Sequence, residues 1–278
     1  MTTTLRPTGP EERTADGGRA RAFAITVNGR PVGGLTLSTD ARFGHHAGRL
    51  TDLAVLPAER GRGRGTVAAL AAEEVLRSWG CGQADVTVPD ASPGALRLAN
   101  SLGYTARWRT LGKELADPPP PAPEGSVPRP LTEAEFHPWL AAERASYAGS
   151  WTERGLPPER AALRANAATA AALPEGLATP GVLVRVLDHD GVRVGSCWLT
   201  RTGEGAEGDP AVMGVSVAPE HRGLGHGHTL LAHAERLAAE RGAKRLVAHA
   251  FAGNLPATRL AASLGYRPLR HHLSKPLL

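Results

Sequence analysis

Two short segments of this chain carry glycines and cations at spacings that suit anion binding. The first is Pro57-Ala-Glu-Arg60-Gly61-Arg-Gly63-Arg-Gly65, and the second is Pro219-Glu-His-Arg222-Gly223-Leu224-Gly225-His226-Gly227. Closely spaced glycines let successive backbone N–H groups turn toward one point, and a helix beginning there adds a field that favours negative charge. A phosphate is the natural occupant. Arg60 or Arg222 would order its loop or meet a phosphate oxygen. Other groups able to do chemistry are more scattered. His249 has an imidazole suited to general-base work near neutral pH. A partly buried, hydrogen-bonded histidine is the alternative. His221, His226, His228 and His233 cluster near the second loop, but their spacing matches no familiar metal-ligand set, so no metal is expected. Cys197 reads as a small buried strand residue. Tyr147, Trp151, Glu153, Arg154 and Trp198 could line a ligand pocket or form a local core.

The surrounding pattern positions these loops. Each follows a short apolar alternation, Leu53-Ala54-Val55 or Val215-Ser216-Val217, and each opens a helical stretch, Thr66–Trp79 or His228–Arg241. The correspondence extends to Gly29/Gly191, Gly33/Gly195, Glu73/Glu235 and Leu102-Gly-Tyr104/Leu264-Gly-Tyr266, always 162 residues apart (57 to 219). One folding unit is therefore used twice. Asn28-Gly29 and Asp190-Gly191 predict hairpin turns. Ala84–Val88 and Arg245–Phe251 predict the strands after the long helices. Pro93–Ser101 and Pro256–Ser263 predict short helices.

The repeats differ most before their hairpins. In the second, Thr132-x-x-Glu135 is a capping-box pattern that starts a helix running to Tyr147. Pro158 sits in the first turn of another helix, alanine-rich through Ala172. The first repeat has no helical apolar stripe in this place. Ala116-Asp-Pro-Pro-Pro-Pro-Ala-Pro-Glu-Gly125 reads as a semi-rigid linker. The expected organisation is a reduced N-terminal domain over 1–115, the linker over 116–125 and a C-terminal domain over 126–278.

Periodicity alone gives an α/β class. The pattern Val-x-Val-x-Pro-x-x-Arg-Gly-x-Gly-x-Gly, followed by helix, strand and Leu-Gly-Tyr, resembles the acyl-CoA-binding core of the GNAT superfamily of N-acetyltransferases. The resemblance is to a tandem, two-domain GNAT protein. It implies an α+β fold in each domain: a mixed, mostly antiparallel sheet flanked by helices and splayed at its middle for the pantetheine arm of CoA. It further implies an acyltransferase, most simply an N-acetyltransferase, moving an acyl group directly from acetyl-CoA or another acyl-CoA to an amine. By the same resemblance, the amides of Gly223, Leu224, Gly225, His226, Gly227 and His228 would cradle the pyrophosphate, with Arg222. Val215 and Val217 would pair with pantetheine, and Asn254 would lie near the CoA arm. Arg60, Gly61, Gly63 and Gly65 carry the same signature in the first repeat. Catalysis is expected in the second repeat, whose helices would cover the acceptor.

The chain departs from the family at its chemistry. A general-acid tyrosine is common seven residues after the Asn, but Ala261 and Ala99 stand at these positions. Acids are common on the strand before the loop, yet Gly214-Val-Ser-Val-Ala218 has none, while the first repeat keeps Asp52. Ser216 and His249 are therefore the catalytic candidates. Rival readings are an acyl-carrier protein or aminoacyl-tRNA as donor, or a CoA-binding sensor or scaffold without turnover.

Composition sets the outer limits. At 278 residues, with 41% hydrophobic content, the chain can bury two cores of ordinary size. There is no apolar run long enough to span a bilayer, so no membrane partner is expected. Two cysteines, one in each repeat, rule against a disulfide framework and predict a cytoplasmic protein. A net charge of +5 suits a polyanionic ligand and permits tRNA or an acidic carrier.

Overall fold

The computed structural model describes residues 2–14, 17–39, 46–116, 128–201 and 210–277. The predicted linker over 116–125 falls outside them except for Ala116. The chain divides into two compact units. The first comprises residues 1–109 together with 269–278, and the second comprises residues 110–268.

The first unit begins with β1 (Thr3–Pro7), β2 (Glu12–Arg13), β3 (Arg19–Val27), β4 (Arg30–Thr39) and β5 (Ala47–Val55). Asn28 and Gly29 both take positive φ, 50° and 84°, which is what a tight hairpin between right-twisted strands requires. Next come α1 (Arg64–Ser78), β6 (Gln83–Pro89), α2 (Pro93–Ser101) and β7 (Thr105–Glu114), whose residues to Arg109 belong here. The sheet order is β1-β3-β4-β5-β6-β13, where β13 is Arg267–Pro276. Among the described residues of this unit only β5 and β6 pair in parallel. Ile25, Leu37, Ala72 and Leu76 are fully enclosed in one core. A side chain such as Leu76 contributes about 1.5–3 kcal/mol by leaving water. Among the described residues no helix precedes β3.

The second unit repeats the plan and adds two helices. β8 (Arg129–Pro130) leads to α3 (Glu133–Thr152) and α4 (Pro158–Ala172). Glu135 accepts from the backbone N–H and the hydroxyl of Thr132, at 2.9 and 2.8 Å, fixing the start of α3. α3 runs five residues beyond Tyr147, to Thr152. β9 (Leu183–His189), β10 (Val192–Arg201), β11 (Pro210–Val217), α5 (His226–Glu240), β12 (Arg245–Phe251) and α6 (Leu255–Ser263) follow. The order is β8-β9-β10-β11-β12-β7, with β11 and β12 the parallel pair.

The terminal strands are exchanged. The segment after the first repeat, from Thr110 in β7, belongs to the second unit, while residues 269–278 of β13 belong to the first. The sequence expectation had counted these last residues with the C-terminal domain. In the first unit, β13 pairs with β6 from Arg270↔Pro89 to Pro276↔Gln83. Lys275 Nζ donates to Glu73 Oε2 at 2.7 Å beside the ring of Tyr104. In the second unit the equivalent Lys113 donates to Glu235 Oε2 at 2.6 Å beside Tyr266. Both glutamates are buried, at 1% and 5% exposure, so each needs its lysine. Burial, then the neighbouring glutamate, pushes each tyrosine's phenol well up.

Candidate functional site

The second loop starts from a three-residue 3-10 turn, Pro219–His221. Gly223 and Gly225 take φ of 82° and 86°, a conformation open to glycine. Gly225 caps α5 with no side-chain hydrogen bond. The first helical bond runs from Thr229 N to Gly225 O at 3.1 Å, so the amides of His226, Gly227 and His228 lie ahead of it. Arg222 Nε donates to Val217 O at 3.1 Å. The arginine therefore latches the loop to the end of β11. Gly227 packs closely: a Cβ would lie 3.3 Å from the Leu260 side chain of α6, which would have to give way slightly. Leu224 and His228 are exposed, whereas His226 is buried against His189 and His221, with ring centroids 5.3 and 6.4 Å away.

A gap opens beside this loop. β11 and β12 pair only at Ala211↔Val247 and Val212↔Ala248, although both strands continue. Ala218 N donates to Val194 O on the β10 side at 2.9 Å. Backbone groups alternate along a strand, so the N–H groups of Val215 and Val217 face the gap. This is the splay expected for a pantetheine arm. Gly195 allows the flanking strands to approach closely, since a Cβ there would lie 2.5 Å from Ser216 O.

The faces of the strands sort the candidate residues. Val215 and Val217 pack toward the core under α5, with Leu230, Ala234 and Ala261. Gly214 faces Trp198 and Glu143, and Ser216, two residues on, shares that face. His249 is the first residue of β12 beyond the last pair. It shares its face with Phe251, and its Nδ1 lies 3.4 Å from Thr110 Oγ1. Phe251 packs on Tyr147 and Trp151, with ring centroids 5.8 and 5.2 Å apart. Arg154 lies over Phe251 at 4.5 Å and Arg164 over Trp151 at 3.6 Å, both cation–π contacts. Tyr147, Trp151 and Arg154 therefore gather at the gap, whereas Glu153 is exposed. Trp198 belongs to the buried cluster with Trp139 and Phe136, and only its indole edge reaches Gly214. Asn254 caps α6, accepting from Ala257 N at 3.1 Å. Cys197 is fully buried, and burial pushes its thiol up to about 12, so it is not a nucleophile.

Glu143 was not singled out from the sequence. It lies on α3 one turn before Tyr147 and two before Trp151, in the row that faces the gap. An acid at 143 with aromatics at 147 and 151 was the available signal, since i, i+4 and i+8 share a helix face. Burial raises its carboxyl above the usual range, opposed by the Trp198 indole.

The first unit has the same backbone device. Gly61 and Gly63 both take φ of 72°, Arg60 Nε donates to Val55 O at 2.8 Å, and β5–β6 pairing stops at Leu50↔Val86. An open cleft of about 470 Å³ runs along Gly33, Gly34, Ala54, Val55 and Arg60. Its charges differ: Arg64 is buried on Glu59, which also pairs with Arg30 and Arg62. Among the described residues no group of His, Cys, Asp or Glu could hold a metal ion, and no helix is long and apolar enough to cross a membrane.

Comparison with known proteins agrees with this architecture. The profile of the Acetyltransferase (GNAT) family matches residues 3–104 and again 136–266. A mycothiol acetyltransferase of Beutenbergia cavernae is 29% identical over 244 residues, covering 81% of this chain and 75% of its own. Among solved structures, a GCN5-related N-acetyltransferase from Sphaerobacter thermophilus superposes with a TM-score of 0.61 at 20% identity, covering 92% of this chain and 80% of its own. A tandem GNAT protein from the clavulanic acid biosynthesis pathway gives 0.51 at 21%, covering 94% and 84%. With both repeats matched and each built on the same splayed sheet, the chain belongs to the GNAT acetyltransferase family as a tandem, two-domain acyltransferase.

Proposed function

We propose that the second unit transfers an acyl group, most simply acetyl, from CoA to an amine. The observation that carries this reading is the end of the β11–β12 ladder at Val212, which leaves β11 unpaired on that side up to Val217, where the strand leads into the glycine loop. Pyrophosphate would sit on the amides of Gly223–His228 with the arm paired to Val215 and Val217. The amine would enter under α3 and α4, beside Tyr147, Trp151 and Phe251. It attacks the thioester carbonyl, and the oxyanion forms against strand N–H groups. Ser216 and His249 line the same face and are the proposed assisting groups. The thiolate is a good enough leaving group to depart without the tyrosine that Ala261 replaces. The relative's name makes the acetyl acceptor of mycothiol acetyltransferases the first amine to try.

The first loop is the more cationic, through Arg30, Arg60, Arg62 and Arg64 against Glu59. We propose that it also holds acyl-CoA, without turnover, because among the described residues no helices cover an acceptor there. The two free cysteines, both buried, fit a reducing cytoplasm.

Calorimetry with acetyl-CoA and an amine screen test this. Gly225→Glu is expected to remove binding at the second site and all transfer. Gly225→Ala separates charge from strain, since a non-glycine residue at positive φ costs about 1–2 kcal/mol. Unchanged affinity in folded Gly225→Glu would reject the donor site. Retention of tRNA or a carrier protein without acetyl-CoA binding would favour those donors. CoA binding with no amine turned over would leave a sensor.

A further inference from the structure

We propose that Glu143 is the proton acceptor of the transfer reaction, supplying from helix α3 the carboxylate that strand β11 lacks. The inference rests on the acyltransferase reading of the second unit.

Three observations converge on it. First, Gly214 is the position matched by Asp52 in the first repeat, so an acid present in one copy is missing from the other. Second, that position is filled from elsewhere. A Cβ built on Gly214 would lie 2.9 Å from Glu143 Oε2 and 2.7 Å from Trp198 Nε1. The glycine is thus the space that the Glu143 carboxylate occupies. Third, the place is right for the chemistry. With phosphates on the loop and the arm running back along β11 from Val217 to Val215, the thioester comes level with Gly214. Four residue steps of strand, from Val217 to Met213, span roughly 13 Å. Pairing with β12 ends one residue earlier, at Val212, which closes the gap there.

The environment suits a base. The carboxylate is part-buried against an indole, and burial raises its proton affinity. It also begins the row that continues to Tyr147, which is half-buried, so an amine resting on that ring would come within reach of the carboxylate. The first unit has no helix in this place among the described residues and keeps its acid on the strand.

The step balances without a further reactant. The amine nitrogen forms a bond to the thioester carbon, and the carbonyl π pair moves to oxygen. The nitrogen gives its proton to Glu143. Collapse re-forms the carbonyl and breaks the C–S bond. The thiolate takes the proton from Glu143, directly or through water, and the carboxylate is regenerated.

The test is Glu143→Gln in the full chain. The probes are acetyl-CoA with the acetyl acceptor of mycothiol acetyltransferases, an amine panel, and acetyl-CoA hydrolysis without amine. General-base loss predicts a fall of about 10²–10⁴-fold in kcat/KM. Acetyl-CoA affinity should stay within about threefold, because Glu143 contacts no donor phosphate. In the wild type kcat/KM should rise with pH through a limb above the usual carboxylate range. Gln should abolish that limb and Glu143→Asp should restore it in part. If Gln does not fold, Asp carries the test: a shifted limb supports the assignment and an unmoved one rejects it. Wild-type-like rates and pH profile in folded Glu143→Gln would overturn it while leaving the acyltransferase reading intact. A wild type that neither transfers to any amine nor hydrolyses acetyl-CoA would remove both.

Discussion

The first glycine loop carries a buried ion pair, and the second carries imidazoles at the same two positions. Glu59 and Arg64 correspond by position to His221 and His226, and Arg30, which also reaches Glu59, corresponds to Val192. Yet the loops match in glycine conformation, in the arginine latch to the strand end and in the close approach at Gly33 or Gly195. The loop shape therefore does not depend on the charges it carries. Glycines and the latch are enough to hold it, which leaves the interior free to diverge. The acceptor side diverged as well, since among the described residues α3 and α4 have no counterpart in the first unit.

The comparison can be broken most decisively at the exchanged lysines. Lys275→Met should leave Glu73 as a lone buried carboxylate and destabilise the first unit by about 3–5 kcal/mol. Lys113→Met should do the same to the second through Glu235. Urea unfolding monitored in each unit reads both. A loss below about 1 kcal/mol in either would end their equivalence. Next come the paired glycines. Gly33→Ala and Gly195→Ala drive a methyl against Ala54 O or Ser216 O, with built distances of 2.2 and 2.5 Å. Each should cost about 1–3 kcal/mol of stability by overpacking, and a cost in only one unit would show that the strands approach differently in solution. The smallest effect should separate the units. Asn254 caps α6, whereas Ser92, its counterpart before α2, makes no such side-chain bond. Asn254→Ala should cost about 1 kcal/mol and Ser92→Ala less than about 0.5 by thermal unfolding. Equal losses would mean that Ser92 caps α2 after all.

Much of this was legible in the chain. Glycine spacing located both loops, Asn28-Gly29 located a hairpin, and Pro158 with the Thr132–Glu135 pair located the starts of the added helices. These signals are local: a turn or a cap needs a particular residue at a particular place. Partner choice is not local. Lys113 and Lys275 are plainly equivalent in sequence, but nothing in either segment distinguishes pairing with its own repeat from pairing with the other. Glu143 was missed for a related reason. An acid on a helix reads as solvated until the strand beneath it is known to carry a glycine. Asn254, expected near the CoA arm, makes its side-chain contact as the cap of α6, accepting from Ala257 N.

The exchanged strand also sets an order of assembly. The first unit contains most of the residues synthesised earliest, but its sheet lacks β13 until residues 269–278 have been made. Domains commonly fold N-terminal first as the chain emerges, at about 5–20 residues per second. Here that sequence is interrupted. Residues 1–109 must wait, with the β6 edge open and Glu73 lacking its lysine, while the intervening 110–268 are translated. A wait of that kind exposes an unpaired edge to other nascent chains. Slowing translation late in the message should therefore lower the yield of the first unit more than that of the second.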